Sequence, residues 1–215
     1  MDAAPKAEVF EKIYQDYLSQ VAQVDLRNVQ DRLGVKVEED AAIIPFYGIP
    51  HRVTAQGVAD DRGVRPSHAV SVILCKYLLL CPEQEPQGSE WVSYRDFKDA
   101  SPFAAGFLNN AERPISLVFA GRLDELKKAC GAMNGKPGEM EISSDLVIKF
   151  DALPKIPILM LFNDEDEDFP AHCSILFEAR AEKFLDMECL AMIGWALSDR
   201  LKRLVDADDG NTLTL

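Results

Sequence analysis

The side chains that could do chemistry are concentrated in the stretch LFNDEDEDFPAHCS, residues 161–174, where five acidic residues run without interruption from Asp164 to Asp168. Carboxylates that follow one another in a loop repel each other, and a divalent cation or a basic partner would relieve that repulsion. The stretch therefore predicts a surface for a cation or a basic partner, and a plain hydrated loop is the alternative.

A calcium loop of the EF-hand kind is excluded by two residues of the same stretch. Asp164, Asp166 and Asp168 match the first, third and fifth ligand positions of that motif. The sixth position needs glycine and holds Phe169, and the twelfth needs a bidentate glutamate and holds Ile175. Another kind of divalent-cation site stays open as a prediction.

Trp91 and Arg95, in the stretch WVSYRDF, are candidates to share a site with the acidic row. The Trp91 ring could stack on a ligand, although tryptophan is more often a core residue, and the planar guanidinium of Arg95 suits a carboxylate. We therefore predict an ion pair between Arg95 and Asp166 or Glu167.

The rest of the acidic row is predicted to face outward in a held geometry. Asp164 and Asp168 are left for an external cation or partner. Phe169 is expected to anchor the loop in the core, and Pro170 limits the freedom of its backbone.

Other catalytic and metal motifs fail on spacing, so no catalytic residue is predicted. His172 and Cys173 resemble a base and its nucleophile, but neighbouring residues of a strand point to opposite faces of a sheet. The five cysteines are scattered without zinc or iron–sulfur spacing, and we expect them to be free thiols.

Charge and hydropathy narrow the classes of partner and the location. The formal net charge is −13, which disfavours nucleic acid and anionic membrane surfaces. The most apolar segment, residues 70–81, is too short to span a bilayer and carries Lys76, and residues 1–12 do not resemble a signal peptide. We expect a soluble cytoplasmic chain, with a protein partner or a homo-oligomer still possible.

Hydrophobic periodicity predicts the elements that position these residues. Five helices are predicted. The first contains Phe10 to Val21, the second follows the cap Asp25, the third runs from the cap Ser67 to Cys81, the fourth from Pro114 to Cys130, and the fifth starts at Asp186. Strands are predicted on both sides of a turn at Gly48–Pro50 and over residues 145–150, 156–162 and 171–177. The acidic row then becomes the loop between the last two strands.

These elements predict an α+β fold, with an antiparallel sheet of about five strands and N-terminal, central and C-terminal helices packed on it. We expect a single globular domain over residues 1–215, with an ordered core of about 5–205. The acidic tail after Asp206 is expected to fray.

The blocks ILCKYLLL, GSEWVSYRDF and LPKIPILMLFNDEDEDFPAHCSILFEARAEKFLDMECLAMIG resemble, in that order, the family DUF3786, an uncharacterised domain found mainly in anaerobic bacteria and archaea. The resemblance runs from about Leu26 to Leu204. Its most specific parts are Trp91-x-Ser93-Tyr94-Arg95, Leu153-Pro154-x-Ile156-Pro157, and Asp166-Glu167-x-Phe169-Pro170 ahead of Ile175-Leu176-Phe177. It brings no activity, but it implies that Trp91, Arg95 and the acidic loop share one site.

Three functions remain open at this point. The first is a non-catalytic binding or accessory domain whose acidic loop contacts a cation or a basic partner. The second is an enzyme that uses Asp166 and Glu167 with Arg95, and the third is a structural or oligomerisation domain without a ligand. We favour the first, because no nucleophile, phosphate loop or metal motif is recognisable.

Overall fold

The computed structural model describes residues 3–140 and 143–212, and it describes side chains from Glu8 to Asp206 apart from residues 141 and 142. Within this part the chain forms two antiparallel sheets with α-helices packed on them. The predicted α+β class is confirmed, and the structure adds a second sheet to the expected one.

The smaller sheet is a meander in which each strand pairs with the next along the chain. The turn between its second and third strands is Tyr47–Gly48, not Gly48–Pro50 as predicted. Both turn residues have positive φ, 50° and 77°, as a two-residue turn between twisted strands requires. The strands are β1 (Lys36–Glu38), β2 (Ala41–Phe46), β3 (Ile49–Thr54) and β4 (Gly57–Asp60).

The larger sheet contains β5 (Trp91–Ser93), β6 (Lys136–Pro137), β7 (Leu146–Leu153), β8 (Ile156–Asn163) and β9 (His172–Glu178). Its strand order is β5-β9-β8-β7-β6. The three strands predicted in the C-terminal half are confirmed as β7, β8 and β9. β8 is buried along most of its length, as its unbroken apolar sequence predicts.

The helices are α1 (Ala3–Val21), α2 (Leu26–Leu33), α3 (His68–Leu79), α4 (Ser101–Phe107), α5 (Arg113–Phe119), α6 (Leu123–Ala132) and α7 (Met187–Thr212). Asp25 and Ser67 cap α2 and α3 with their side chains, as predicted. The single helix predicted from Pro114 to Cys130 is wrong. It is divided into α5 and α6 at Gly121, whose φ of +67° cannot continue a right-handed helix.

One hydrophobic core joins the two sheets. Side chains of both sheets and of several helices belong to the same buried cluster. Tyr47, in the turn of the smaller sheet, donates its backbone N–H to the Ala152 carbonyl of β7 at 3.0 Å and its hydroxyl to the Ile193 carbonyl of α7 at 2.8 Å. The smaller sheet is therefore attached to the larger one through buried hydrogen bonds as well as packing.

The C-terminal helix continues past the point where the sequence predicts fraying. α7 extends to Thr212, and residues 213–215 of the predicted tail lie outside the described part. Among the described residues, no helix has both the length and the apolar content that a bilayer crossing requires.

Candidate functional site

Ionisable side chains gather at the open edge of β9. β5 pairs with β9 only as far as Ser93 opposite Leu176, so the preceding part of β9 has no partner strand on that side. The Ile175 N–H at this edge is bound by a side chain instead, because Glu112 Oε1 accepts it at 2.9 Å. A buried backbone donor that would otherwise be unsatisfied thus holds a carboxylate in place.

A π-helical turn, Leu108–Glu112, presents this carboxylate from the junction of α4 and α5. Pro114 follows, and a proline ring in a regular α-helix clashes with the carbonyl four residues earlier, here that of Asn110. The wider turn, in which the Arg113 N–H bonds to the Leu108 carbonyl, relieves that clash. Single π turns of this kind are frequent at functional sites.

A cleft of about 450 Å³ opens beside Glu112, and we refer to it as the Glu112 cleft. Tyr94 and Phe107 lie stacked in its wall, with ring centroids 4.2 Å apart. The polar side chains that line it are Ser93, Arg95, Glu112, His172 and Ser174. His172 and Ser174 are two residues apart on β9, which places them on the same face of the strand.

Burial and neighbouring charges set the protonation of the cleft. Burial raises the pKa of Glu112 above its usual value, and the Ile175 N–H, His172 and Arg95 only partly oppose that shift. Cys173 lies behind the cleft, and burial together with the Glu112 charge raises the pKa of its thiol. Cys173 is therefore an unreactive core residue, in agreement with its rejection as a nucleophile.

The acidic row forms the connection between β8 and β9, as predicted, and hydrogen bonds between carboxylates and backbone amides hold it. Asp164 accepts the Gly121 N–H at 2.7 Å, while the Asp164 N–H donates to the Asp145 carboxylate at 2.8 Å. Asp166 Oδ1 accepts the N–H groups of Asp168 and Phe169, each at 2.8 Å. The loop is thus ordered by carboxylate–amide bonds.

A family model described as a domain of unknown function, DUF3786, matches residues 25–200. The chain belongs to the DUF3786 family. No curated protein and no solved structure matches the chain. The matched region of this DUF3786 chain includes the Glu112 cleft and the acidic loop.

The predicted pairing of Arg95 with the acidic loop is wrong. Arg95 lines the Glu112 cleft with a side chain that is 80% exposed, and its one ion pair among the described residues is a long contact of 4.0 Å to Asp96. Asp166 turns a carboxylate oxygen to the backbone of its own loop. Glu112, from a helix that the sequence did not connect with Arg95, is the carboxylate that lies in the same cleft.

The other predicted site residues of the DUF3786 chain lie outside the cleft. Trp91 is half-buried on β5, opposite Glu178 of β9, and does not line the cavity. The expected anchoring of Phe169 in the core is wrong, because this side chain is 70% exposed at the tip of the acidic loop. Glu165, Asp166, Glu167 and Asp168 are exposed beside it, and Asp164 is half-buried.

Neither the acidic loop nor the cleft brings together a set of metal ligands. Among the residues that the structure describes, no group of three or more His, Cys, Asp or Glu side chains is placed to hold a metal ion. All five cysteines are unpaired, as predicted.

Sequence reasoning missed Glu112, His172, Ser93 and Ser174 as members of one cleft. One local signal was available for Glu112, since an acid two residues before a proline inside a helical pattern marks a place where the helix is disturbed. In the sequence, the one reactive neighbour of His172 is Cys173, and nothing there connects His172 with Glu112. The short β5 leaves the β9 edge open, and that pairing could not be predicted from the strands alone.

Proposed function

We propose that this DUF3786 chain is a non-catalytic binding or accessory domain and that a small polar ligand occupies the Glu112 cleft. The observation that carries the proposal is the convergence of a carboxyl group withdrawn from water, a guanidinium and an imidazole on one cavity of about 450 Å³. A cavity of this size with a few convergent polar groups is typical of small-molecule sites.

The lining favours a ligand that carries both an anionic group and a hydrogen-bond donor. Arg95 presents a largely free guanidinium, which suits a carboxylate. Glu112 presents the opposite chemistry, because its carboxylate accepts hydrogen bonds. Small amino acids and hydroxy acids have these two features at a separation that one cavity can hold.

Thermal-shift titration of the full chain with a panel of free amino acids and hydroxy acids tests the proposal. We expect at least one compound to raise the melting temperature by a few degrees at saturating concentration. Arg95→Gln and Glu112→Gln should each remove that shift, and Arg27→Gln, on the exposed side of α2, should not. A panel without any stabilising compound would favour the structural or oligomerisation alternative.

Catalysis at the same cleft is the second candidate, and the raised pKa of Glu112 beside His172 favours it. In this alternative the carboxyl group that acts in the reaction is Glu112, in place of Asp166 and Glu167. It requires that a compound which binds the cleft is also converted, and that Glu112→Gln abolishes conversion while binding persists. A ligand recovered unchanged after prolonged incubation with the wild type supports the non-catalytic proposal.

The acidic loop supports the further proposal that the domain docks on a basic protein partner. Its carboxylates form no ion pair with any side chain that the structure describes. The exposed Phe169 ring at the tip gives a basic segment an apolar contact among these charges. The carboxylates do not converge into a metal-ligand group, so a basic partner fits the loop better than a cation does.

A lysine-rich peptide that also carries leucine is a direct probe of this loop. We expect salt-sensitive binding that Phe169→Ser and the combined Asp166→Asn, Glu167→Gln and Asp168→Asn changes each weaken, whereas Glu39→Gln and Asp61→Asn at exposed sites elsewhere do not. If the control variants weakened peptide binding equally, the net charge of the chain and not the acidic loop would explain the binding. A melting-temperature shift with calcium, magnesium or manganese that disappears on Asp164→Asn with Asp168→Asn would instead support the cation alternative.

A further inference from the structure

A second cavity, of about 330 Å³, lies between the N-terminal half of α3, residues 192–203 of α7 and His51 of β3. It shares no lining residue with the Glu112 cleft. Its walls include Ser67, Ile73, Met192, Trp195, Arg200 and Arg203, and we refer to it as the Arg200 groove. Two arginines and an indole ring in one cavity are unusual on a chain with a net charge of −13.

Arg200 is held in the groove by contacts that leave most of its donors free. Its Nη1 donates to the Phe46 carbonyl at 3.1 Å. The guanidinium also lies over the rings of Phe46 and Tyr47, 4.9 and 5.1 Å from their centroids. A guanidinium has five N–H donors, and the Phe46 carbonyl takes one of those of Arg200 among the described residues.

No carboxylate neutralises this charge within the part of the chain that the structure describes. Asp199 also lines the groove, but its carboxylate binds Lys202 at 3.1 Å. Burial lowers the pKa of Arg200 and Arg203 adds to the decrease, while Tyr47 opposes it. A half-buried cation without a counter-ion carries a desolvation cost, and a bound anion would offset that cost.

The remaining walls of the groove are largely apolar. Trp195, Met192 and Val70 are partly exposed and supply an indole ring, a thioether and an aliphatic side chain beside the two arginines. The Trp195 Nε1 is buried and has no hydrogen-bond partner among the described residues. The groove thus combines a cationic end with a wall suited to an aromatic or aliphatic body.

We propose that the Arg200 groove binds a small amphipathic anion, with its carboxylate or phosphate on Arg200 and Arg203 and its apolar body against Trp195. The two anionic groups share the same chemistry towards a guanidinium fork, since both accept two parallel N–H bonds. Arg203 adds a second positive charge at the exposed rim of the groove.

Calorimetric titration of the full chain with phenyl phosphate, benzoate and the uncharged benzyl alcohol tests this site. We expect saturable binding of phenyl phosphate, benzoate or both, and none of benzyl alcohol, and the stronger of the two anions identifies the preferred group. In a Trp91→Phe background the remaining tryptophan is Trp195, so the same ligand should change its fluorescence.

Variants separate a site from a general charge effect. Arg203→Gln, at an exposed position that leaves the Phe46 contact intact, should weaken binding by at least about fivefold. Arg200→Lys should weaken it further through loss of the planar fork. Arg27→Gln removes the same charge at an exposed position of α2 and should leave the affinity unchanged.

Three results would each overturn the proposal. The first is the absence of binding by both anions up to a concentration on the order of 10 mM. The second is an affinity that Arg203→Gln leaves unchanged, and the third is equal weakening by Arg27→Gln. None of these variants changes a residue of the Glu112 cleft. Failure of this proposal is therefore distinguishable from failure of the proposed function.

Discussion

At the scale of single residues, Glu112 stabilises the fold and lines the candidate ligand site with the same carboxyl group. Its Oε1 satisfies the Ile175 N–H where β9 lacks a partner strand. The same burial that makes this bond worth forming raises the pKa of the carboxyl group. The fold therefore needs the acceptor oxygen, whereas burial makes the negative charge of the same group unfavourable for stability.

Substitutions of Glu112 separate the acceptor from the charge. Glutamine keeps the acceptor oxygen for Ile175 and loses the charge, so Glu112→Gln should match or exceed the wild-type free energy of unfolding at neutral pH. Glu112→Ala leaves the Ile175 N–H without a partner and should lower that free energy by about 1–3 kcal/mol. Urea unfolding of the three proteins measures both differences.

The pH dependence of the same comparison has a definite sign. An acid whose pKa is raised in the folded state binds more protons there, so wild-type stability falls relative to Glu112→Gln as the pH rises from the usual value of 4.5 through the raised pKa. A glutamine variant as unstable as the alanine variant would show that the fold needs the negative charge itself.

The chemistry of Arg95 could be predicted from the sequence, but its carboxylate partner could not. The sequence favours Asp166 and Glu167 as partners of Arg95, because both belong to its most acidic stretch. Asp166 instead binds amides of its own loop, as aspartates in turns often do. Glu112 reaches the cleft only because a π turn and a short β5 meet there, and neither feature has a firm signature in one sequence.

At the scale of elements, α3 and α7 are joined by an ion pair that explains a lysine inside an apolar helix. Lys76 Nζ donates to the carboxylate of Asp186, which also accepts the Cys189 N–H at 2.9 Å and so caps α7. Burial alone would raise the pKa of Asp186, but the bonds from Lys76 and Cys189 outweigh burial and lower it. Burial would lower the pKa of Lys76, and Asp186 raises it instead.

The pair predicts a stability contribution that is present across the neutral range. A lowered acid pKa stabilises the fold above the usual value of 3.8, and that contribution is lost as the pH falls through the lowered pKa. A raised lysine pKa stabilises it below 10.5, and that contribution is lost as the pH rises through the raised pKa. Asp186→Asn should therefore be less stable than the wild type at neutral pH, and the difference should shrink in acid.

Urea unfolding across the acidic range measures the Asp186 difference. Asp61→Asn, at an exposed position that forms no ion pair with any residue that the structure describes, is the matched control and should follow the wild-type profile. A destabilisation by Asp186→Asn that stays constant in acid would show that the cap geometry, and not the charge, carries the effect.

Elements with a strong periodicity or a side-chain cap could be predicted, and those set by backbone strain could not. The apolar stripes of α3 and α7 and the caps Asp25 and Ser67 are local features, and the structure reproduces them. The break at Gly121 was missed because apolar residues continue on both sides of it. A glycine inside a helical pattern does not by itself announce a left-handed backbone.

At the scale of the whole molecule, the chain separates its charges while the two sheets share one core. The acidic loop leaves its carboxylates without ion pairs among the described residues, and the Arg200 groove holds cations without acidic partners there. Such a separation costs stability through unneutralised charge, and the proposed ligand and partner would each offset part of that cost. The shared core allows the fold to tolerate this distribution of charge, because the stabilisation from buried apolar area does not depend on where the surface charges lie.

The shared core predicts that the chain unfolds as a single domain in one cooperative transition. Ile44 of β2 in the smaller sheet and Ile158 of β8 in the larger one are both fully buried in the same cluster. Ile→Val at either position removes one methylene and should cost about 0.5–1.5 kcal/mol, which lowers the melting temperature of a chain of this size by a few degrees. Calorimetry should show one peak in the wild type, with equal calorimetric and van't Hoff enthalpies, and each variant should shift that whole peak.

Ile49→Val, at an exposed position of β3, controls for the substitution itself and should shift the peak much less. If Ile44→Val moved only part of the transition and Ile158→Val moved the rest, the smaller sheet would be a separate folding unit. The hydrogen bonds from Tyr47 to Ala152 and Ile193 would then connect two domains and would not lie within one.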